Sequence, residues 1–328
     1  MEHNQGNCMN RRRFINKAVM GAGMMAFPVG SIAKSKEILP ITGGTADSFP
    51  VSIFSKNLQW LGYDAMAETA AALGFDGVDL TVRPNGHVLP ERVKEDLPKA
   101  CEAVRKAGLK LESIVTSIDN ADEKSTIDIL RTASQLQIPY YRLGWFHYRK
   151  ENSIEENLSR IAESMRKIDA LNEQFGLRGI YQNHSGEYYG APLWDLARTF
   201  TEINSKRTGS QYDIYHAMIE GANSWIYGFE LLKPYIWMIN IKDFQWVKKN
   251  GKWQTETVPL GEGMIDFPKY FTMLKASKIN CPISLHYEYP IGGAEHGASE
   301  LRTDKSEVLA KMKKDLTFLR RTISEAGQ

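Results

Sequence analysis

Between residues 51 and 288, short β-favouring runs alternate with longer segments of helical periodicity, and the alternation recurs eight times. The apolar spacing predicts strands at 51–54, 77–81, 110–116, 140–144, 179–183, 212–215, 237–241 and 283–288. It predicts helices over segments such as 64–73, 95–108 and 154–175, with Gly74, Gly108 and Gly176 as C-caps. Strict strand–helix alternation requires a parallel sheet, because each helix carries the chain back to the same end. Eight repeats in about 280 residues are the length of a closed (β/α)8 TIM barrel, a single α/β domain. A doubly wound open sheet is the alternative that the same alternation permits. One departure is the segment 246–253, where Asn250-Gly251 flanked by matched Lys and Trp residues predicts a β-hairpin insertion between strands seven and eight. A last amphipathic stretch, 305–323, predicts a closing helix.

The first 33 residues stand apart. Arg11, Arg12, Arg13 and Lys17 precede a run of apolar and small residues that ends at Ala33, a twin-arginine type of signal peptide. The run is broken by glycines and a proline and falls short of the roughly 20 apolar residues of a stable membrane span. The expected organisation is therefore a signal peptide at 1–33, a linker at 34–48 and the barrel at 49–328, with a periplasmic or other extracytoplasmic location after cleavage. Residues 1–33 carry four basic side chains against Glu2, so their removal turns the formal charge of +2 into −1. Without a basic excess, a nucleic-acid partner is not expected. Cys8 lies in the signal, and the remaining pair, Cys101 and Cys281, is no disulfide framework.

Side chains alternate across a strand, and in barrels the chemistry collects at the carboxyl ends of the strands. Gln182 and His184 share one face of strand five, as do Asn240 and Lys242 of strand seven and Ser284, His286 and Glu288 of strand eight. The apolar partners Ile239, Ile241, Ile283, Leu285 and Tyr287 take the other face. Asp79, Arg142 and Asp213 join the polar lining, whereas Glu112 reads as an interior hydrogen-bonding group. A single histidine at a strand end is ordinarily a core or loop residue. All six that follow the signal (His87, His147, His184, His216, His286 and His296) fall in or just after an expected strand's carboxyl end, which points to a shared site. The aromatics Trp145, Tyr181, Tyr188, Tyr189, Phe244 and Trp246 are mainly packing residues, although aromatic walls also hold sugar rings.

Seven short motifs carry a resemblance: Gly77-Val-Asp-Leu-Thr81, Tyr141-Arg-Leu-Gly144, Gln182-Asn-His184, Asp213-Ile-Tyr-His216, Asn240-Ile-Lys-Asp243, the run from Pro259 to Asp266, and Ser284-Leu-His-Tyr-Glu288. In this order the chain resembles the xylose isomerase-like TIM-barrel family of sugar isomerases and epimerases. The resemblance implies one divalent metal, manganese or zinc, held by carboxylates and a histidine at positions that here are Gln182, Asp213, Asn240 and His286. Only Asp213 keeps the family's residue, so the metal is expected to be weakly bound or absent. The two glutamates that relatives use for proton transfer are missing, and Gln182 cannot act as a base.

The expected catalytic groups are therefore His286, His216, Glu288 and Lys242, with His184, Arg142, Asp243 and Asn183 contacting the substrate. The resemblance implies a small-molecule sugar or glycoside from which a proton next to a carbonyl is removed, and the expected extracytoplasmic location disfavours a phosphorylated one. Isomerisation or epimerisation, β-elimination from a 3-keto-glycoside by a lyase, and sugar binding without catalysis in a degenerate barrel all remain open. A phosphodiesterase reading is disfavoured by the charge. The sequence leaves the oligomeric state open, a homo-oligomer included.

Overall fold

The structure is a computed structural model and describes residues 49–326. The expected signal peptide and linker lie outside these residues. Eight parallel strands close into a barrel: β1 (Val51–Phe54), β2 (Gly77–Thr81), β3 (Lys110–Val115), β4 (Tyr140–Arg142), β5 (Arg178–Gln182), β6 (Thr208–Asp213), β7 (Ile236–Ile241) and β10 (Ile283–Leu285). Neighbours follow chain order, and β10 closes the ring between β7 and β1 through Ile283↔Ile239 and Ile283↔Val51 pairs. β8 (Asp243–Lys249) and β9 (Lys252–Val258) form the expected antiparallel hairpin as a separate two-stranded sheet. Asn250 and Gly251 both adopt positive φ, 52° and 77°, as a two-residue hairpin turn of that sequence requires.

The helices are α1 (Tyr63–Leu73), α2 (Val93–Lys106), α3 (Lys124–Gln135), α4 (Ile154–Phe175), α5 (Leu193–Ile203), α6 (Ile214–Gly221), α7 (Trp225–Leu232), α8 (Phe267–Ala276) and α9 (Lys305–Glu325). The longest, α4, begins with a capping box in which Ser153 and Glu156 satisfy each other's backbone N–H, and ends at Gly176 in the left-handed conformation. Among the described residues, no helix is long and apolar enough to cross a membrane.

Alternation along the strands builds two layers. Outward-facing Ile53, Val78, Leu80, Ile114, Tyr181, Tyr212, Ile239, Ile241, Ile283 and Leu285 are buried against the helices in one continuous core. Each such aliphatic side chain contributes roughly 1.5–3 kcal/mol relative to exposure. Inside the barrel, Tyr140, Ile180 and Met238 form a small apolar floor. Two residues further along their strands stand Arg142, Gln182 and Asn240, so the interior turns polar toward its carboxyl end.

Two strand ends differ from expectation. β6 stops at Asp213, whose carboxylate accepts the backbone N–H of His216 and caps α6, so Tyr215 and His216 lie on the helix's first turn. The ladder of β10 stops at Leu285 because the Asn57 side chain takes both backbone groups of Tyr287, accepting its N–H at 3.2 Å and donating to its C=O at 2.7 Å. His286 still donates its N–H to Ile241 O at 3.0 Å, which fixes the direction of the following Glu288.

Candidate functional site

At the carboxyl end of the barrel, a small cleft opens between Phe54, Arg83, Arg142, Trp145, His184 and Lys242, with Lys56, Gln182, His286 and Glu288 completing its wall. Its centre is Lys242, two positions past Asn240 on the inward face and only 2% exposed. The Lys242 ammonium donates to His216 Nε2 at 2.9 Å and to Glu288 Oε2 at 3.0 Å, and lies 3.5 Å from Asp213 Oδ2. Asp213 Oδ2 also accepts from Gln182 Nε2 at 2.8 Å, while Gln182 Oε1 accepts from Arg142 Nη1 at 2.6 Å. A continuous polar layer therefore runs Arg142, Gln182, Asp213, Lys242, Glu288 across the ends of five strands.

Hydrogen-bond direction fixes the imidazoles. His216 Nε2 accepts from an ammonium, so its proton is on Nδ1 and is donated to Ser185 Oγ, 2.8 Å away. Ser284 Oγ donates to Asp79 Oδ2 at 2.6 Å and therefore accepts from His286 Nε2 at 3.1 Å. That leaves His286 Nδ1 unprotonated, without a hydrogen-bond partner among the described residues, and 3.7 Å from Glu288 Oε1. The His286 ring stacks on Phe54 with centroids 4.3 Å apart. On the β5 side, His184 donates from Nδ1 to Ser185 O at 2.9 Å, leaving Nε2 as an acceptor, and packs between Trp145 and His216.

The charges depend on one another. Burial works to raise Glu288, but Lys242 and, after it, Lys56 outweigh it and hold the carboxyl well below the usual range. Asp213 is likewise lowered, because Lys242 and His216 overcome its burial. Burial alone would discharge Lys242, yet Asp213 and Glu288 raise it, so the ammonium stays charged. All three nearby histidines are lowered: His216 and His184 by burial and then Lys242, and His286 by burial against the opposing pull of Glu288. They are neutral at neutral pH.

The expected site residues thus divide. Lys242, Glu288, His286, His184, Arg142 and Gln182 meet in the cleft, while His216 and Asp213 hold Lys242 from behind. Asn183 acts one layer out, clamping β5 to β6 by accepting Asp213 N–H at 2.8 Å and donating to Asp213 O at 2.9 Å. Asp243 does not face the cleft. Its carboxylate accepts four backbone N–H groups, from Phe244, Gly261, Gly263 and Ile265, and ties the loop after the hairpin to the end of β7. A Cβ at Gly263 would overlap that carboxylate, which explains the glycine. His87 bonds to Ser55 and Thr81, with its pKa lowered to about 4 by burial, and His147 bridges to Tyr188.

Gln182, Asp213, Asn240 and His286 do not fit a divalent ion. Asn240 Oδ1 accepts from Gln211 at 2.7 Å, deeper in the barrel, and Gln182 Oε1 is taken by Arg142. The position that would face Asp213 is filled by the Lys242 ammonium, a charge that repels a metal ion from the same oxygens. The sequence reading passed over Phe54, Lys56 and Arg83. The inward parity of Ser52 and Phe54 extended to Lys56, and that of Asp79 and Thr81 extended to Arg83, is the signal that finds them.

A closed parallel barrel with a polar cleft at its carboxyl end is the frame of enzymes and binding proteins that act at strand ends. The xylose isomerase-like TIM-barrel model matches residues 67–318, and the chain belongs to that family. No curated protein sequence matches it significantly. Among solved structures, it is similar to the apo form of a 3-keto-D-glucoside 4-epimerase from E. coli, at 14% identity and a TM-score of 0.62, covering 84% of this chain and 100% of that one. A D-psicose 3-epimerase with D-tagatose from Clostridium cellulolyticum H10 matches at 13% and 0.63, over 84% and 99%. A xylose isomerase-like TIM-barrel protein from Mycobacterium smegmatis, in complex with magnesium, matches at 10% and 0.62, over 86% and 99%. At these identities the likeness is one of fold.

Proposed function

We propose that this protein is a sugar-modifying enzyme of the isomerase and epimerase class that removes a proton from the carbon next to a sugar carbonyl, with His286 as the base. The observation that carries this reading is the Asp79–Ser284–His286 chain, which leaves Nδ1 as a buried, unpaired acceptor beside the cleft. Glu288 Oε1, 3.7 Å away, is placed to stabilise the imidazolium formed when Nδ1 takes the proton. Negative charge then grows on the carbonyl oxygen. Lys242 and Arg142, both charged and both in the wall, supply the stabilisation that relatives with a metal obtain from a metal ion. His184, whose single proton is donated to Ser185 O, lines the cleft as an acceptor for a substrate hydroxyl, and the His286 imidazolium returns the proton it has taken. His216 acts through Lys242 as a positioning residue, since both of its nitrogens are already engaged. The pattern of residues 1–33 supports an extracytoplasmic setting, where free and glycosidic sugars are the available substrates.

The test is incubation with ketohexoses and 3-keto-glycosides in deuterated water, read by NMR. Deuterium entering next to the carbonyl is the expected result, and His286→Gln should slow it by at least about 100-fold. Release of an aglycone without exchange into recovered substrate would assign elimination instead. Binding of a sugar with neither exchange nor cleavage would reduce the barrel to a binding protein.

A further inference from the structure

The cleft carries a charge that the proposed chemistry does not use. Lys56, Arg83, Arg142 and Lys242 face it, and the carboxylates that answer them are Glu288 in the wall with Asp213 and Asp79 behind. Four cations meet three anions, and the histidines are neutral, so one positive charge is left over. The surplus is localised. Lys56 and Lys242 both pair with Glu288, at 3.3 and 3.0 Å, whereas neither guanidinium has a carboxylate within ion-pair distance among the described residues. Arg142, 4% exposed, makes a single side-chain bond, to Gln182, and its Nε has no partner. Arg83 has no side-chain hydrogen bond to the described residues and lies 5.6 Å over the Phe54 ring, while Arg142 lies 4.5 Å over Trp145. Burial, and after it the nearby charge of Arg83, push Arg142 down to about 9. Two like charges held close in a half-desolvated cleft are costly unless an anion joins them.

From this surplus, and resting on the proposed function, we infer that the substrate is a sugar acid whose carboxylate is held between Arg83 and Arg142. A planar guanidinium matches a carboxylate fork to fork, and one carboxylate cancels the single surplus charge where a phosphate, at about −2, would overshoot it. Phe54 and Trp145, each lying under one guanidinium, hold the two forks in place.

Titration calorimetry on the whole chain tests the inference, using gluco-, galacto- and mannuronate, each paired with its neutral hexose and its hexose 6-phosphate. At least one hexuronate should bind tenfold or more tightly than its neutral counterpart, and the preference should shrink as salt is raised. Arg83→Gln should abolish the preference, and Arg83→Lys, which keeps the charge but loses the fork, should restore part of it. Equal binding of acid and neutral sugar, stronger binding of the 6-phosphates, or no measurable hexuronate binding would each overturn it. The two readings fail separately: deuterium exchange on neutral ketoses without acid preference sinks this one alone, and tight hexuronate binding without exchange on any keto sugar sinks the catalytic one alone.

Discussion

Replacing Lys242 with methionine keeps the length of the side chain and removes its charge. In the native protein, Asp213 is fully buried and Glu288 is 29% exposed, and both are held ionised chiefly by this ammonium against their own burial. Breaking a buried ion pair from one side typically costs about 3–5 kcal/mol, because the stranded charge stays desolvated. Water can reach Glu288, so the lower end, about 3 kcal/mol, is the expected loss at pH 8. For a domain of this size that corresponds to a fall in melting temperature of roughly 6–12 °C. The pH dependence is the sharper part. In the parent, the depressed carboxyls contribute stability above their ordinary values of 3.8 and 4.5, and it is lost only as pH falls through the lower folded values. Without Lys242, Glu288 keeps Lys56 at 3.3 Å, but burial raises Asp213 above its ordinary value, so its penalty is full at pH 8 and relaxes as it takes up a proton toward pH 5. Melting curves of parent and variant from pH 5 to 8 measure the difference directly. A gap that is constant across this range, or a variant as stable as the parent, would refute the assignment of Lys242 as the charge that keeps Asp213 ionised.

Three further outcomes are expected. The acid limb of the pH–rate profile should lie below the ordinary histidine value of 6.5, because burial lowers His286 and the base must be neutral, and the first basic limb should fall near pH 9, where Arg142 loses its charge, since Lys242 is raised above 10.5; an acid limb above 6.5 would contradict the first assignment and a profile flat to pH 10.5 the second. Exhaustive chelation should leave deuterium exchange within twofold of the untreated enzyme, as Lys242 stands where a metal ion would; loss of exchange restored by manganese would overturn that. Asp243→Ala strands four backbone N–H donors and should cost about 3 kcal/mol by denaturant titration, an effect absent if the residue only contacted substrate.

Strand–helix alternation made the barrel legible, and the parity of residues such as Gln182, Asn240 and Ser284 gave their inward direction, because both are local properties of a repeating backbone. The Asn250-Gly251 turn was legible for the same reason. Partnership was less so. Lys242 and Asp243 are adjacent and equally charged in magnitude, yet one faces the cleft and the other secures a loop through Gly261, Gly263 and Ile265, residues about twenty positions away. Asn240 stood in a ligand position by resemblance, but its interior neighbour Gln211 comes from β6, and that pairing is a product of barrel register. Arg83 escaped notice because its meaning lies in the absence of a nearby acid, which becomes visible only when four strand ends are brought together.

A positive charge borne on Lys242 is delivered by translation itself. Every molecule leaves the ribosome with one such charge, so occupancy is complete without loading, scavenging or competition among dissolved ions. The same fixity removes a form of adjustment, since nothing in the surroundings can exchange this cation for another of different acidity. Any tuning of its strength has to come through the neighbours that surround it, chiefly Asp213, His216 and Glu288.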